Sequence, residues 1–422
     1  MAESNEKPRA RNTGKSMLFR AGAKETRRLL PYVCIPVVLV AVSCATNVLP
    51  WEPPEAPPPA PERRAVSFFL KRVETYLSRK TEDIDLLEAL SALQEDIATD
   101  LPGYRCDVPG AREAVEESVG RCKAYLAAVS GDDAGIRAAE GIVRFVFNEL
   151  RIAPRLRPSA ENHGSDEAVF PGEVLARKRG DCLALGVLHL VLAREINVKL
   201  HGVLVGTHFF VRYEDGKTRR NFELLRRGHS HSDPYYRRRF RVPDGSSLQM
   251  RNLTGREVLC VVLFNVADAY CEARQHAKAL RIYERVLEVL PGFAEARCDL
   301  ALLDSKAGNH RRAIAGLNCA LRCNPNLMGA YVNLAAEHIK LGEHAESIAV
   351  CKAGLAVRGD DACLLHAIGV AYHSQQQHKE AIRFYRLALA SDPAHVLCRS
   401  NFKRARQALR SDCRGAEDSG PP

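Results

Sequence analysis

Gly180-Asp181-Cys182-Leu183-Ala184-Leu185, followed downstream by Gly206-Thr207-His208-Phe209-Phe210-Val211 and then by Asn221-Phe222-Glu223, decides how this chain is read. Cysteine, then histidine, then an amide or acid is the order of a thiol acyl-transfer centre. A cysteine attacks acyl groups only as its thiolate, so its site must stabilise that form or place a base beside it. Leu183 to Ile196 is apolar with helical spacing, and Asp181 is a good N-cap for that helix. Cys182 then falls in the first turn, where the helix dipole favours negative charge.

The base would come from a hairpin. Thr207 to Tyr213 alternates as a half-buried strand, Asp215-Gly216 is a two-residue turn signal, and Thr218 to Leu224 returns. That loop length sets Glu223 opposite His208 and Asn221 opposite Phe210, both on the histidine's face. Either can then orient the imidazole, with Glu223 the first choice and Asn221 the second. A loop of three residues would turn both away. The competing reading is plain: a lone cysteine beside an apolar helix is usually a small buried hydrophobe, and a lone strand histidine is usually structural.

Glu173-Val174-Leu175-Ala176-Arg177-Lys178-Arg179-Gly180-Asp181-Cys182-Leu183-Ala184-Leu185, then His208-Phe209-Phe210-Val211-Arg212, then Asn221-Phe222-Glu223, resembles the bacterial transglutaminase-like core family. The resemblance spans roughly Leu70 to Pro243 and is specific across Glu173 to Gly228. It implies an α+β papain-like thiol fold, with Cys182 as nucleophile, His208 as base and Glu223 or Asn221 as the orienting residue. Some members carry tetratricopeptide repeats behind this domain, and some branches have lost the cysteine, which this chain keeps. It departs from the larger transglutaminases in having Phe rather than Trp after the histidine, and no Asp-Pro after the second strand.

A period of 34 residues governs the second half. Ala279, Tyr283, Val286 and Pro291 recur as Ala313, Leu317, Ala320 and Pro325, and again as Ala381, Tyr385, Ala388 and Pro393. This is the tetratricopeptide (TPR) pattern, a helix–turn–helix whose small residues let helices pack closely. The expected architecture is therefore a papain-like/transglutaminase-like α+β domain at 65–243, a linker and helix start at 244–259, and an all-α TPR solenoid. Its units fall at 260–293, 294–327, 328–361 and 362–395, with a capping helix at 396–409 and a disordered tail at 410–422. The third unit has Ser347, Gly354 and Gly359 at usual Ala and Pro positions, and should be the loosest. A concave groove in the solenoid suits a peptide or protein partner.

The amino terminus reads as a targeting segment. Lys24, Arg27 and Arg28 precede an apolar run from Leu29 to Val42, which ends in Ala41-Val42-Ser43-Cys44-Ala45. Small residues before a cysteine resemble a bacterial lipobox, with 1–43 as the leader and Cys44 as the lipidated residue. An uncleaved signal anchor is the rival. Residues 44–64 are a stiff proline-rich spacer. Both readings place the body outside the cytoplasm, tethered to a membrane in the bacterial cell envelope.

The 422 residues allow two or three domains, and the formal net charge is +10. Arg177-Lys178-Arg179, Arg219-Arg220, Arg226-Arg227 and Arg237-Arg238-Arg239 cluster around the proposed centre. They would attract an anionic substrate or form a solvated face. No nucleic-acid recognition motif accompanies them, so nucleic acid is not an expected partner. The 14 cysteines form no disulfide framework and no zinc spacing, and His229-Ser230-His231 lacks a third ligand nearby. No metal or cofactor is expected. Two functions remain: a thiol enzyme acting on amide bonds of peptides or proteins, or a non-catalytic TPR lipoprotein that scaffolds envelope complexes.

Overall fold

The computed structural model describes residues 68–78, 84–101, 110–129, 135–155, 169–243 and 245–418, with side chains to residue 412. The leader, Cys44 and the proline-rich spacer lie outside them. Among the described residues, no helix is long and apolar enough to cross a membrane.

Helices α1 (Phe68–Ser78), α2 (Leu86–Asp100), α3 (Ala111–Val129) and α4 (Ile136–Arg144) come first. Short strands β1 (Ala153–Pro154) and β2 (Arg179–Gly180) pair in parallel, with α5 (Pro171–Arg177) between them. Then follows α6 (Cys182–Glu195), whose residues from Cys182 to Ala193 are all buried. A helix apolar all round must be covered all round. Helices α3, α4 and α5 contact α6, and so do β3 (Leu200–Val205) and β4 (His208–Glu214) of an antiparallel sheet completed by β5 (Arg219–Phe222). Two glycines make the close approach work: a Cβ on Gly186 would lie 2.4 Å from the Phe209 ring, and one on Gly202 would lie 2.5 Å from it. Helix α7 (Asp233–Phe240) contacts β3, and its Tyr236 packs with Val203, Val205, Phe210 and Met250 in a small second core.

The hairpin differs from the sequence expectation. Glu214 pairs with Arg219, so four residues close the turn rather than two. Asp215 is the reason: its Oδ1 accepts the backbone N–H groups of Lys217 (2.9 Å) and Thr218 (2.7 Å), a side-chain-built turn that carries the chain past the tight loop. The register therefore slides by two. Because strand side chains alternate with a period of two, the slide keeps every residue on its face and changes only its partner.

The stretch read as a linker is woven into the sheet. Met250 N–H donates to Leu204 O and Leu253 N–H to Gly202 O, each at 2.9 Å, along the free edge of β3. Thr254 and Glu257 then cap each other to open α8 (Gly255–Glu272). This helix is buried from Val258 to Phe264, and one continuous core runs from Phe69 to Leu303 across the thiol domain and the first repeats. Asp100 ties the junction by accepting from Tyr270 (2.6 Å) and Lys278 (2.8 Å).

Helix pairs then stack: α8 with α9 (His276–Val289), α10 (Ala294–Lys306) with α11 (His310–Cys323), α12 (Met328–Lys340) with α13 (His344–Arg358), and α14 (Ala362–Ser374) with α15 (His378–Ser391). Within the third unit the space beside Gly354 is filled: a Cβ there would sit 2.7 Å from Leu364 and 3.0 Å from Tyr331. Helix α16 (Val396–Asp418) also runs past Leu409 through most of the expected disordered tail, since no proline interrupts it before Pro421.

Candidate active site

Three segments converge. Asp181 caps α6, its Oδ1 accepting the Ala184 N–H at 2.9 Å, which places Cys182 at the first helical position. The approach to the cysteine is held by backbone bonds from Ala153 N to Lys178 O and from Arg155 N to Gly180 O, each 2.8 Å. His208 opens β4, two residues after the left-handed Gly206 of the β3–β4 turn. Glu223 follows β5 and caps a single short turn, with its Oε1 accepting from Leu225 N at 3.2 Å.

His208 Nε2 and Glu223 Oε2 are 2.7 Å apart, and the imidazole also hydrogen-bonds the Cys182 thiol. With Nε2 taken by the carboxylate, Nδ1 is the nitrogen left for sulfur. All three side chains are buried; Cys182 is 1% exposed. Burial works against a charge on His208, but the hydrogen bonds to Cys182 and Glu223 outweigh it and raise the imidazole to about 10. Burial likewise pushes Glu223 up, and its bond and charge interaction with His208 pull it below the usual carboxylate range.

Asn221 does not touch His208. Its Oδ1 accepts from Arg212 Nε (2.8 Å), and its Nδ2 donates to His231 O (2.9 Å) and Asp233 Oδ1 (2.7 Å). The two-residue slide pairs it with Arg212 rather than Phe210, so of the two candidates the structure brings only Glu223 to the histidine. Arg212 is itself fully buried and also donates to Met250 O, Asn252 Oδ1 and Asp233 Oδ1, fixing the linker and the start of α7 to the strand. Sequence reasoning missed this residue. Its signal was a cation set among Phe209, Phe210, Val211 and Tyr213 of the strand, a position that demands several partners.

An aromatic wall surrounds the imidazole. Phe240 stacks on His208, with ring planes 6° from parallel and centroids 5.5 Å apart. Tyr236 lies at 6.3 Å and Phe210 at 6.4 Å, and the Tyr236 hydroxyl donates to Glu223 Oε2 at 3.4 Å. None of these aromatics was singled out from sequence, because their convergence depends on how α7 folds back. His189, on the cysteine's own helix, is a structural contrast: it hydrogen-bonds Leu185 O at 2.7 Å, and burial lowers it to about 4.

A buried Cys–His–Glu constellation at the start of a central helix, beside an antiparallel sheet, defines a papain-like thiol domain, and a TPR solenoid follows it. Comparison with known proteins agrees: residues 110–240 match the transglutaminase-like superfamily, and residues 262–295 and 364–397 match the tetratricopeptide repeat. The chain thus carries a transglutaminase-like domain followed by TPR repeats. It is similar to the UPF0162 proteins of Xylella fastidiosa strains Temecula1 and 9a5c, each at 26% identity over 191 residues. The match covers 40% of this chain and 66% of either relative, just under two thirds of their length. Among solved structures it is similar to MamA (19% identity, TM-score 0.32, 36% of this chain and 82% of that one). It is also similar to YrrB, a TPR protein with an unusual peptide-binding site (16%, TM-score 0.30, 36% and 78%).

Proposed function

We propose that this protein is a membrane-tethered, extracytoplasmic thiol enzyme acting on amide bonds of peptides or proteins, with its repeats binding a protein partner. The observation that carries the chemistry is the shared contact of His208 with the Cys182 thiol and the Glu223 carboxylate. Glu223 orients the ring and balances its charge, so that a thiolate and an imidazolium coexist at rest. The thiolate attacks the amide carbonyl, and the oxyanion is met by the Cys182 backbone N–H at the helix start. His208 then delivers its proton to the leaving amine. The acyl-enzyme passes either to water, as in a peptidase or amidase, or to a second amine, as in a transglutaminase.

The tether rests on the leader: an apolar run ending in Ser43-Cys44-Ala45, followed by the proline-rich spacer. Fatty-acid labelling of the wild type that vanishes in Cys44→Ala supports the lipid anchor; labelling unchanged by the substitution refutes it. The repeats supply the extended surface that stacked helix pairs present to partners.

One observation favours a second reading, in which the domain is a retained scaffold: the thiol is almost wholly buried. Site-resolved alkylation separates the two. Fast labelling of Cys182 at neutral pH that collapses in His208→Ala supports the enzyme. Labelling no faster than that of the buried repeat cysteines Cys298 and Cys351 supports the scaffold.

A further inference from the structure

The aromatic ring that stacks on His208 is attached to the repeat solenoid. Phe240 is the last residue of α7, half-buried, and lies parallel to the imidazole. It also packs on the turn that delivers the histidine, since a Cβ on Gly206 would sit 3.4 Å from its ring. The next residue, Arg241, stops the helix in the left-handed region at φ 51°. Both ends of Arg241 are then held by the repeats: its carbonyl accepts from Asn326 Nδ2, between α11 and α12, and its Nη1 donates to Val357 O in α13 at 2.9 Å. On the other side of the histidine, Gly206 N–H donates to Gln249 Oε1 at 3.2 Å, in the segment leading into the first repeat.

A parallel aromatic ring confines the imidazole to one plane and favours its cationic form through the π face. The charged and titratable groups around this stack are Cys182 on α6, Glu223 after β5, and Tyr236 and Arg239 on α7, the last with its guanidinium 5.7 Å from the Phe240 ring centre. Tyr236 also stacks on Phe240 at 6.4 Å, and Phe240 packs against the second core; Arg241 adds the tie from the end of α7 to the repeats. We propose that Phe240 is a positioning residue for His208 and that the second and third repeats hold it in place through Arg241. The solenoid is then part of the support of the thiol centre. This deepens the thiol-enzyme reading and rests on it.

The test is site-resolved iodoacetamide labelling of Cys182 against pH in the full-length protein. It compares wild type, His208→Ala, Phe240→Leu, Phe240→Tyr and the remote Asn326→Ala, with thermal melts as the folding control. Phe240→Leu is expected to slow iodoacetamide labelling at pH 7 by about three- to tenfold and, in a parallel series with anionic iodoacetate, to move the alkaline fall in rate to lower pH. Phe240→Tyr, which keeps the ring, restores wild-type behaviour. Asn326→Ala, 85 residues from Arg241 in sequence, gives a smaller loss in the same direction at an unchanged melting temperature. Wild-type labelling in Phe240→Leu, while His208→Ala collapses, overturns the stack. A silent Asn326→Ala beside an impaired Phe240→Leu overturns the role of the repeats. If His208→Ala itself labels like wild type, the failure belongs to the thiol-enzyme reading.

Discussion

His208 Nε2 meets Glu223 Oε2 at 2.7 Å although the two residues do not face each other across the hairpin. The ladder ends at Val211 opposite Phe222, and Glu223 reaches back diagonally from just beyond it. Diagonal neighbours on one face of a sheet are within reach of a long side chain. A glutamate spans that gap; the shorter Asn221 is already committed to Arg212.

Glu223→Gln and Asn221→Ala should therefore fail in different ways. Glu223→Gln removes the balancing charge and is expected to lower the neutral-pH alkylation rate of Cys182 at least tenfold, with little change in stability. Asn221→Ala leaves the buried Arg212 short of a partner and is expected to cost about 1–3 kcal/mol in urea unfolding while sparing Cys182 labelling. Equal labelling defects in the two variants would contradict this division.

The sign of the pH dependence follows from His208, raised to about 10. Its proton, and so its positive charge beside the sulfur, persists through neutral pH and is lost as pH rises through that value. Labelling by anionic iodoacetate should fall across this limb because the attracting charge disappears. Labelling by neutral iodoacetamide should not fall. Parallel curves for the two reagents would argue against a charged imidazole at the thiol.

Glu173 predicts a stability effect away from the chemistry. Its Oε2 accepts from Val169 N (2.8 Å) and Phe170 N (3.1 Å), and burial raises it to about 7 despite those bonds. A carboxyl raised above its unfolded value near 4.5 contributes stability that is full below that value and lost as pH rises through 7. Glu173→Gln keeps an acceptor for the two N–H groups and carries no charge. Its melting temperature should match wild type at pH 4.5 and exceed it progressively to pH 8, an advantage of up to about 3 kcal/mol. A pH-independent difference would refute the assignment.

Gly186 sits in a helix, where alanine normally gains about 1 kcal/mol. Here a Cβ would meet the Phe209 ring at 2.4 Å, and both α6 and the sheet are buried at that point. Overpacking of this kind costs about 1–3 kcal/mol, so Gly186→Ala should be net destabilising in denaturant unfolding. It should also disturb Cys182 labelling, since the same helix carries the thiol. A stabilised variant would show that α6 and β4 can separate without cost.

The hairpin shows where sequence reasoning reached and where it stopped. Strand alternation placed His208, Asn221 and Glu223 on one face, and that survived because the register slid by an even number of residues. The partner of each did not survive, because Asp215 built a longer turn from its own side chain. Arg212 and Phe240 were legible only as residue types. Their roles depend on Met250, Asn252, Asp233 and Asn326, all distant in the chain.

By itself, then, the sequence determined what depends on local periodicity and capping: the cysteine at a helix start behind Asp181, the histidine strand, and the 34-residue repeat. Such features follow from backbone geometry and nearest-neighbour chemistry, which short stretches encode. Only the tertiary structure decided that Glu223 and not Asn221 meets His208, and that Phe240 covers the imidazole. It also decided that the linker is an edge of the sheet and that one core joins the thiol domain to the first repeats. Those outcomes are set by long-range packing, where a buried arginine and two glycines dictate which surfaces can touch. No local pattern specifies them.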